Sequence, residues 1–133
     1  MFFNSRIKAA IAINPISSSI FGQTSLSQIK IPTMIVASSN DTVAPALPEQ
    51  IRPFTWLTTS NKYLLLINNG THFSTITESA NSTIPVPTQA SGDHPDLARS
   101  YMNAFSVAFF QTYVANQPMY RAYLTSAYAN AID

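Results

Sequence analysis

Three short apolar runs punctuate the chain, and each ends in turn chemistry. Ala9 to Ile13 stops at Asn14-Pro15, Thr33 to Ala37 at Ser38-Ser39-Asn40-Asp41, and Tyr63 to Ile67 at Asn68-Asn69-Gly70. None alternates apolar with polar positions, which is how strands covered on both faces of a parallel sheet read. Parallel neighbours need crossovers of about a dozen residues or more, and the intervals between the runs are long enough to supply them. The pattern predicts an α/β fold of three layers, a short parallel sheet covered by helices.

The second crossover, Pro45 to Leu57, contains Pro45, Pro48 and Pro53. A helix there starts at one proline and is interrupted or restarted at another. Ser79 to Asp93 (SANSTIPVPTQASGD) has the composition of a loop, with two prolines and no periodicity. From Asp93 the pattern turns helical. Asp93, Pro95 and Asp96 resemble a capped helix start. Leu97, Tyr101, Ala104, Phe105, Ala108, Phe109 and Tyr113 then recur at three- and four-residue spacing, an apolar stripe suited to packing on a sheet. A second helix is predicted from about Pro118 to Ala131, carrying Tyr120, Tyr123, Leu124, Ala127 and Tyr128. These aromatics read as packing residues rather than as a cofactor site. The chain shows no internal repeat and no linker, so residues 1–133 read as one unit.

Composition sharpens this picture. Charged residues make up 10% of the 133, well below the roughly 25% of an average soluble domain. Either the exposed face is built from Ser, Thr, Asn and Gln, or another part of a larger domain covers what is here. The net charge of +1 comes without a basic cluster, which argues against nucleic acid as a partner. The absence of cysteine excludes disulfides, thiolate metal sites and a cysteine nucleophile. The apolar run after Lys8 is too short for the core of a signal peptide. No stretch approaches the roughly 20 apolar residues of a membrane span. The chain is expected to be soluble, with no compartment indicated.

Functional groups in parallel α/β sheets gather in loops leaving the carboxyl ends of the strands, because those loops emerge on one rim. Two such loops carry the strongest candidates: Asp41 after the second run and His72 after the third. If the two strands are neighbours, about 4.8 Å apart, the carboxylate can accept the Nδ1 proton of the imidazole, pairing a base with its orienter.

An acid followed by a histidine, after successive strands, is the tail of the α/β-hydrolase order of nucleophile, acid, histidine. At these residues the chain resembles that family. IPTMIVASSNDTVAP is similar to the segment ending in the triad acid, and KYLLLINNGTHF to the following strand and histidine loop. The similarity is closest to the dienelactone-hydrolase-like group, which includes polyester-cleaving esterases and platelet-activating-factor acetylhydrolases. IKAAIAINPISSSIFG resembles the preceding strand and loop of cyanobacterial predicted dienelactone hydrolases. The resemblance runs from Ile7 to about Tyr113. It implies the last three strands of the fold and a serine esterase or lipase-like activity through an acyl-serine intermediate. Asp41 is then the triad acid, His72 the triad base, and no cofactor is involved.

The nucleophile of that family sits in G-x-S-x-G, where glycines let a strand turn sharply into a helix. The three glycines here, Gly22, Gly70 and Gly92, include no pair four residues apart. Ser17, Ser18 and Ser19 follow a strand without small residues on both sides and read as turn or pocket residues. The oxyanion donors belong with the nucleophile and an early loop. The expectation is therefore a C-terminal α/β-hydrolase segment that carries the acid and base but not the attacking group. In isolation it should lack appreciable esterase activity.

Val43 and Phe73 flank the acid and the base and are candidates for an acyl pocket, although ordinary loop packing accounts for them equally well. His94, ahead of a proline, reads as a solvated helix-start residue, and Asp93 and Asp96 as caps. His72, His94 and the carboxylates lack metal-ligand spacing. The strand at Ala9 to Ile13 is expected to be an unpaired edge, open to self-association or to a separate N-terminal half. The rival reading is a non-catalytic α/β module that binds an apolar ligand or a partner chain through that edge. A flavodoxin-like domain is disfavoured, because no phosphate loop follows the first strand.

Overall fold

The computed structural model describes residues 4–76 and 88–132. Three parallel strands form one sheet in the order β1-β2-β3: β1 is Ala10–Ile13, β2 Thr33–Ser38 and β3 Lys62–Ile67. Each strand shares one end with its apolar run and differs by one residue at the other. Ile13 pairs with Val36 and Ser38 with Ile67, so the carboxyl ends of all three strands lie on one rim.

Every residue of β2 is buried, as its uninterrupted apolar run requires of a central strand. The two-residue alternation of a strand divides its side chains between two clusters. Met34 and Val36, with Ile67 and the half-buried Ile11, Tyr63 and Leu65, pack on one face. Ile35, with Leu64, packs on the other. The first face is covered by α5 (Pro95–Tyr113), Leu124 and α6 (Ser126–Ile132), while a 3₁₀ turn at Pro118–Tyr123 packs on α5. The second is covered by α2 (Gly22–Leu26) and α3 (Arg52–Trp56) through Leu26, Phe54 and Trp56, with Leu57 beside them. Helices on both faces give the three expected layers. α1 (Ser17–Ile20) precedes α2, and α4 (Thr88–Ser91) precedes α5.

The stripe of α5 falls at Ala98, Phe105, Ala108, Phe109 and Thr112. Phe109 is fully buried. Water exclusion from such a side chain contributes about 1.5–3 kcal/mol, so Phe109 is a principal anchor of this layer. At the start of α5 the buried stripe runs through Ala98 rather than the predicted Leu97, which is 48% exposed. The turn ahead of this helix also differs from expectation. His94, not Asp93, occupies the cap position without a side-chain cap bond, and Asp96 pairs with Arg99 instead. Asp96 is the second residue of the helix, past the cap position, and its exposed carboxylate meets the guanidinium one turn further on.

The predicted helix from Pro118 to Ala131 is broken. Its first turn is 3₁₀ and closes at Tyr123; Thr125 Oγ1 then accepts the Tyr128 N–H at 3.2 Å, a side-chain cap that starts α6 afresh. The Pro45 to Leu57 crossover is helical and proline-interrupted, as predicted. A π-helical turn at Leu47–Ile51 leads into α3, immediately ahead of Pro53, whose ring nitrogen cannot donate to the carbonyl of residue 49. Of the predicted loop Ser79 to Asp93, residues 88–91 form α4, and residues 79–87 lie outside the described residues.

Candidate active site

The rim built by the strand ends brings two loops together. Asn40 N–H donates to the Gly70 carbonyl at 2.8 Å and Ser39 N–H to the Ile67 carbonyl at 3.1 Å, stitching the turn after β2 to the turn after β3. Gly70 is required by this approach. A Cβ there would stand 2.9 Å from Ile67 Cγ2 and 3.1 Å from Ser38 Oγ, closer than packed atoms tolerate.

Asp41 and His72 meet across that seam. His72 Nδ1 lies 2.8 Å from Asp41 Oδ2. The Asp41 side chain is fully buried, whereas that of His72 is 23% exposed. Asp41 Oδ1 accepts the Val43 N–H at 2.9 Å and the Ala44 N–H at 2.7 Å, and Oδ2 also accepts from Gln50 Nε2 at 3.2 Å. An ionised carboxylate has about four acceptor positions, and here four donors occupy them. The acid therefore has no freedom to rotate. With its other positions taken by N–H donors, it is placed to accept the Nδ1 proton of His72.

The histidine loop is a tight turn with its own fastenings. Thr71 N–H donates to Ser74 Oγ at 2.7 Å, and Ser74 Oγ donates to the Ser91 carbonyl at 2.8 Å. The loop is thus tied to α4. The Phe73 ring stands edge-on to the imidazole, with centroids 5.1 Å apart. Val43 gives its main chain to Asp41 while its side chain is 52% exposed.

Two further residues belong to this architecture that the sequence pattern did not single out. Gln50 is fully buried; its amide nitrogen bonds both Asp41 and, at 2.7 Å, the Ala44 carbonyl. Its neighbour Glu49 turns the other way. The Glu49 carboxylate accepts the Ser19 hydroxyl at 2.6 Å and the main-chain N–H groups of Ser18 and Ser19. Those bonds, that of the Ser19 hydroxyl foremost, hold the Glu49 carboxyl below its ordinary range. Consecutive residues of one π-helical turn thereby fasten the acid loop and the loop after β1. Ser18 and Ser19 are structural partners of Glu49, and Ser17 is buried.

Among the described residues, no group of three His, Cys, Asp or Glu side chains is placed to hold a metal ion. His94 is exposed at the start of α5.

Residues 3–133 match the family model described as PET hydrolase-like, also called PETase. The chain belongs to the PET hydrolase-like family. Membership in this polyester-cleaving esterase family accords with three parallel strands in one open sheet with helices, and places the fold in the α/β-hydrolase class. No curated protein matches the chain. Among the described residues, no helix is long and apolar enough to cross a membrane.

Proposed function

We propose that these residues supply the acid and base of a carboxylic ester hydrolase that works through an acyl-serine intermediate. The observation that carries the reading is the 2.8 Å contact between His72 Nδ1 and an Asp41 carboxylate saturated by donors. His72 Nε2, with its lone pair free, takes the proton of a serine hydroxyl as that oxygen attacks the ester carbonyl. Asp41 stabilises the imidazolium that results. The same Nε2–H then protonates the departing alcohol. A water molecule repeats the sequence to release the acid. No metal or cofactor enters any step. Val43 and Phe73, on either side of the pair, line the acyl group.

The serine and its oxyanion donors come from outside residues 1–133, since no G-x-S-x-G occurs among them. The margin at β1 is suited to receive such a segment. Ala10 and Asn14 direct their N–H groups to the Pro32 and Val36 carbonyls of the β2 side, at 3.0 and 2.9 Å. Strand alternation therefore turns the backbone groups of Ile11 and Ile13 to the open side, where another strand can pair. The same margin would serve a non-catalytic module that binds a partner chain, and the two readings separate by assay.

The purified 133-residue chain should give no saturable turnover of p-nitrophenyl acetate or butyrate. Turnover should appear when it is co-expressed with an N-terminal half of a PET hydrolase-like protein bearing G-x-S-x-G, and His72→Ala should abolish it. Turnover by the chain alone that His72→Ala removes would refute the external nucleophile. Complemented turnover indifferent to His72→Ala would refute the base.

A further inference from the structure

We infer that Asn14 is a positioning residue for His72, acting through the main chain of the histidine loop; the inference rests on the acid–base reading above. Asn14 leaves the end of β1 with φ +45°, in the left-handed region, and is only 4% exposed. Its N–H remains in the sheet ladder, donating to the Val36 carbonyl at 2.9 Å. Its side-chain Nδ2 reaches across the rim to the His72 carbonyl at 2.9 Å and stands 3.5 Å from that of Thr71. His72 is thereby held at two points by two different strands: its ring by the loop after β2 and its carbonyl by the end of β1.

Stability alone gives a poor account of an asparagine here. A left-handed φ carries a steric penalty for any residue with a Cβ and none for glycine. The Asn14 Oδ1 atom is buried with no hydrogen-bond partner among the described residues, a further unfavourable feature. Glycine would remove both. What glycine cannot provide is the donor to the His72 carbonyl, and that donor is what asparagine contributes. The residue tolerates two local penalties at a position from which the end of β1 touches the histidine loop. Turning the amide over would set Oδ1 against the His72 carbonyl, so the observed orientation is the one the neighbours permit.

The test uses the whole chain and its two histidines. Ring-nitrogen NMR of His72, with exposed His94 as internal reference, reads the tautomer and the solvent exchange of the Nδ1 proton. Asn14→Gly should speed exchange of the His72 Nδ1 proton by about twofold to tenfold, the range set by loss of a neutral hydrogen bond, and by more than any accompanying change in the thermal midpoint accounts for. Asn14→Ala, which keeps a Cβ but lacks the donors and adds no charge, should show the same gain in exchange. Unchanged His72 exchange in both variants would overturn the inference. So would a lowered midpoint in Asn14→Gly with exchange rising only as global unfolding does, because Asn14 would then be a structural residue. Failure of the acid–base reading itself looks different: wild-type His72 would share the tautomer mixture of His94, and Asp41→Asn would leave its spectrum unchanged.

Discussion

Gln50 Nε2 lies 3.2 Å from Asp41 Oδ2, the carboxylate oxygen that also faces the imidazole of His72. A neutral amide is well chosen for that place. It donates to the acid without adding a charge that would compete with an imidazolium for the same oxygen. Its second hydrogen goes to the Ala44 carbonyl, so the side chain braces the acid loop as well as the acid.

Replacing Gln50 distinguishes these contributions. Gln50→Leu leaves the Asp41 oxygen and the Ala44 carbonyl each short of a donor in a buried setting, at an expected loss of about 1–3 kcal/mol. Gln50→Glu adds a carboxylate beside a buried carboxylate, and like charges at that range push one of them toward its protonated form. The new Glu then has a folded-state pKa above its unfolded value. Its folded state is best tolerated below about pH 4 and loses stability as pH rises. Urea denaturation at several pH values should show Gln50→Glu falling further behind wild type toward neutrality. The deficit of Gln50→Leu should stay nearly constant.

Glu49 gives a pH dependence of the opposite sign. Its carboxyl is held below the ordinary value of 4.5, chiefly by the Ser19 hydroxyl. A group whose folded pKa is depressed contributes stability that is present above its unfolded pKa and is lost as pH falls through the folded one. Glu49→Gln removes that contribution. The gap in urea midpoint between wild type and Glu49→Gln should be widest above about pH 5 and should narrow on acidification toward about pH 3. A gap that held steady over this range would show that the serine contacts do not favour the ionised form.

Gly70→Ala tests the seam between the two loops. The added methyl would press on Ile67 Cγ2 and Ser38 Oγ, and both neighbours are buried. Neither is the loose end of a long side chain, so the strain should fall on the backbone turn that leads to His72. Overpacking of this kind typically costs about 1–3 kcal/mol. Thermal unfolding should register that loss. The His72 ring resonances should shift, because the turn carrying them moves, whereas those of His94 should not.

Much of this arrangement was legible in the sequence, for a definite physical reason. A strand covered on both faces must be apolar throughout, and Thr33 to Ala37 meets that requirement. Tyr63 to Ile67 is as apolar although it is only half-buried, with Leu66 48% exposed, and the loops that carry Asp41 and His72 follow these two runs. Gln50 and Asn14 gave no such sign. A glutamine between prolines on a helix, and an asparagine before a proline at a strand end, read as ordinary solvent-facing chemistry. Only the tertiary approach of three loops turns those side chains inward. The end of the chain misled for a related reason. Tyr120, Tyr123, Leu124, Ala127 and Tyr128 keep helical spacing across a break, because both short helices present aromatic residues to one another, as the Tyr123–Tyr128 contact at 5.1 Å illustrates. Periodicity reports which face is apolar, but it is blind to a threonine hydroxyl that caps a new start.

Tyr63 and Tyr113 offer a control far from this chemistry. Tyr63 is the second residue of β3, near the end of the strand away from the Asp41–His72 rim. Its hydroxyl lies 2.6 Å from that of Tyr113, which donates to Asn61 Oδ1 at 3.2 Å. Burial, with the Tyr113 hydroxyl second, pushes the Tyr63 phenol up to about 12. A raised folded pKa means the protonated form is favoured in the native state. Its contribution is complete below the unfolded value of about 10 and is lost as pH climbs toward the folded one. Tyr63→Phe should therefore cost about 0.5–1.5 kcal/mol near neutrality, the net worth of one hydrogen bond. The deficit should shrink between about pH 10 and pH 12, where wild type loses the advantage that the variant never had. Denaturant titration across that range measures it. The His72 ring spectrum of Tyr63→Phe should match wild type throughout the neutral range, because no bond of the acid–histidine pair passes through this end of the sheet.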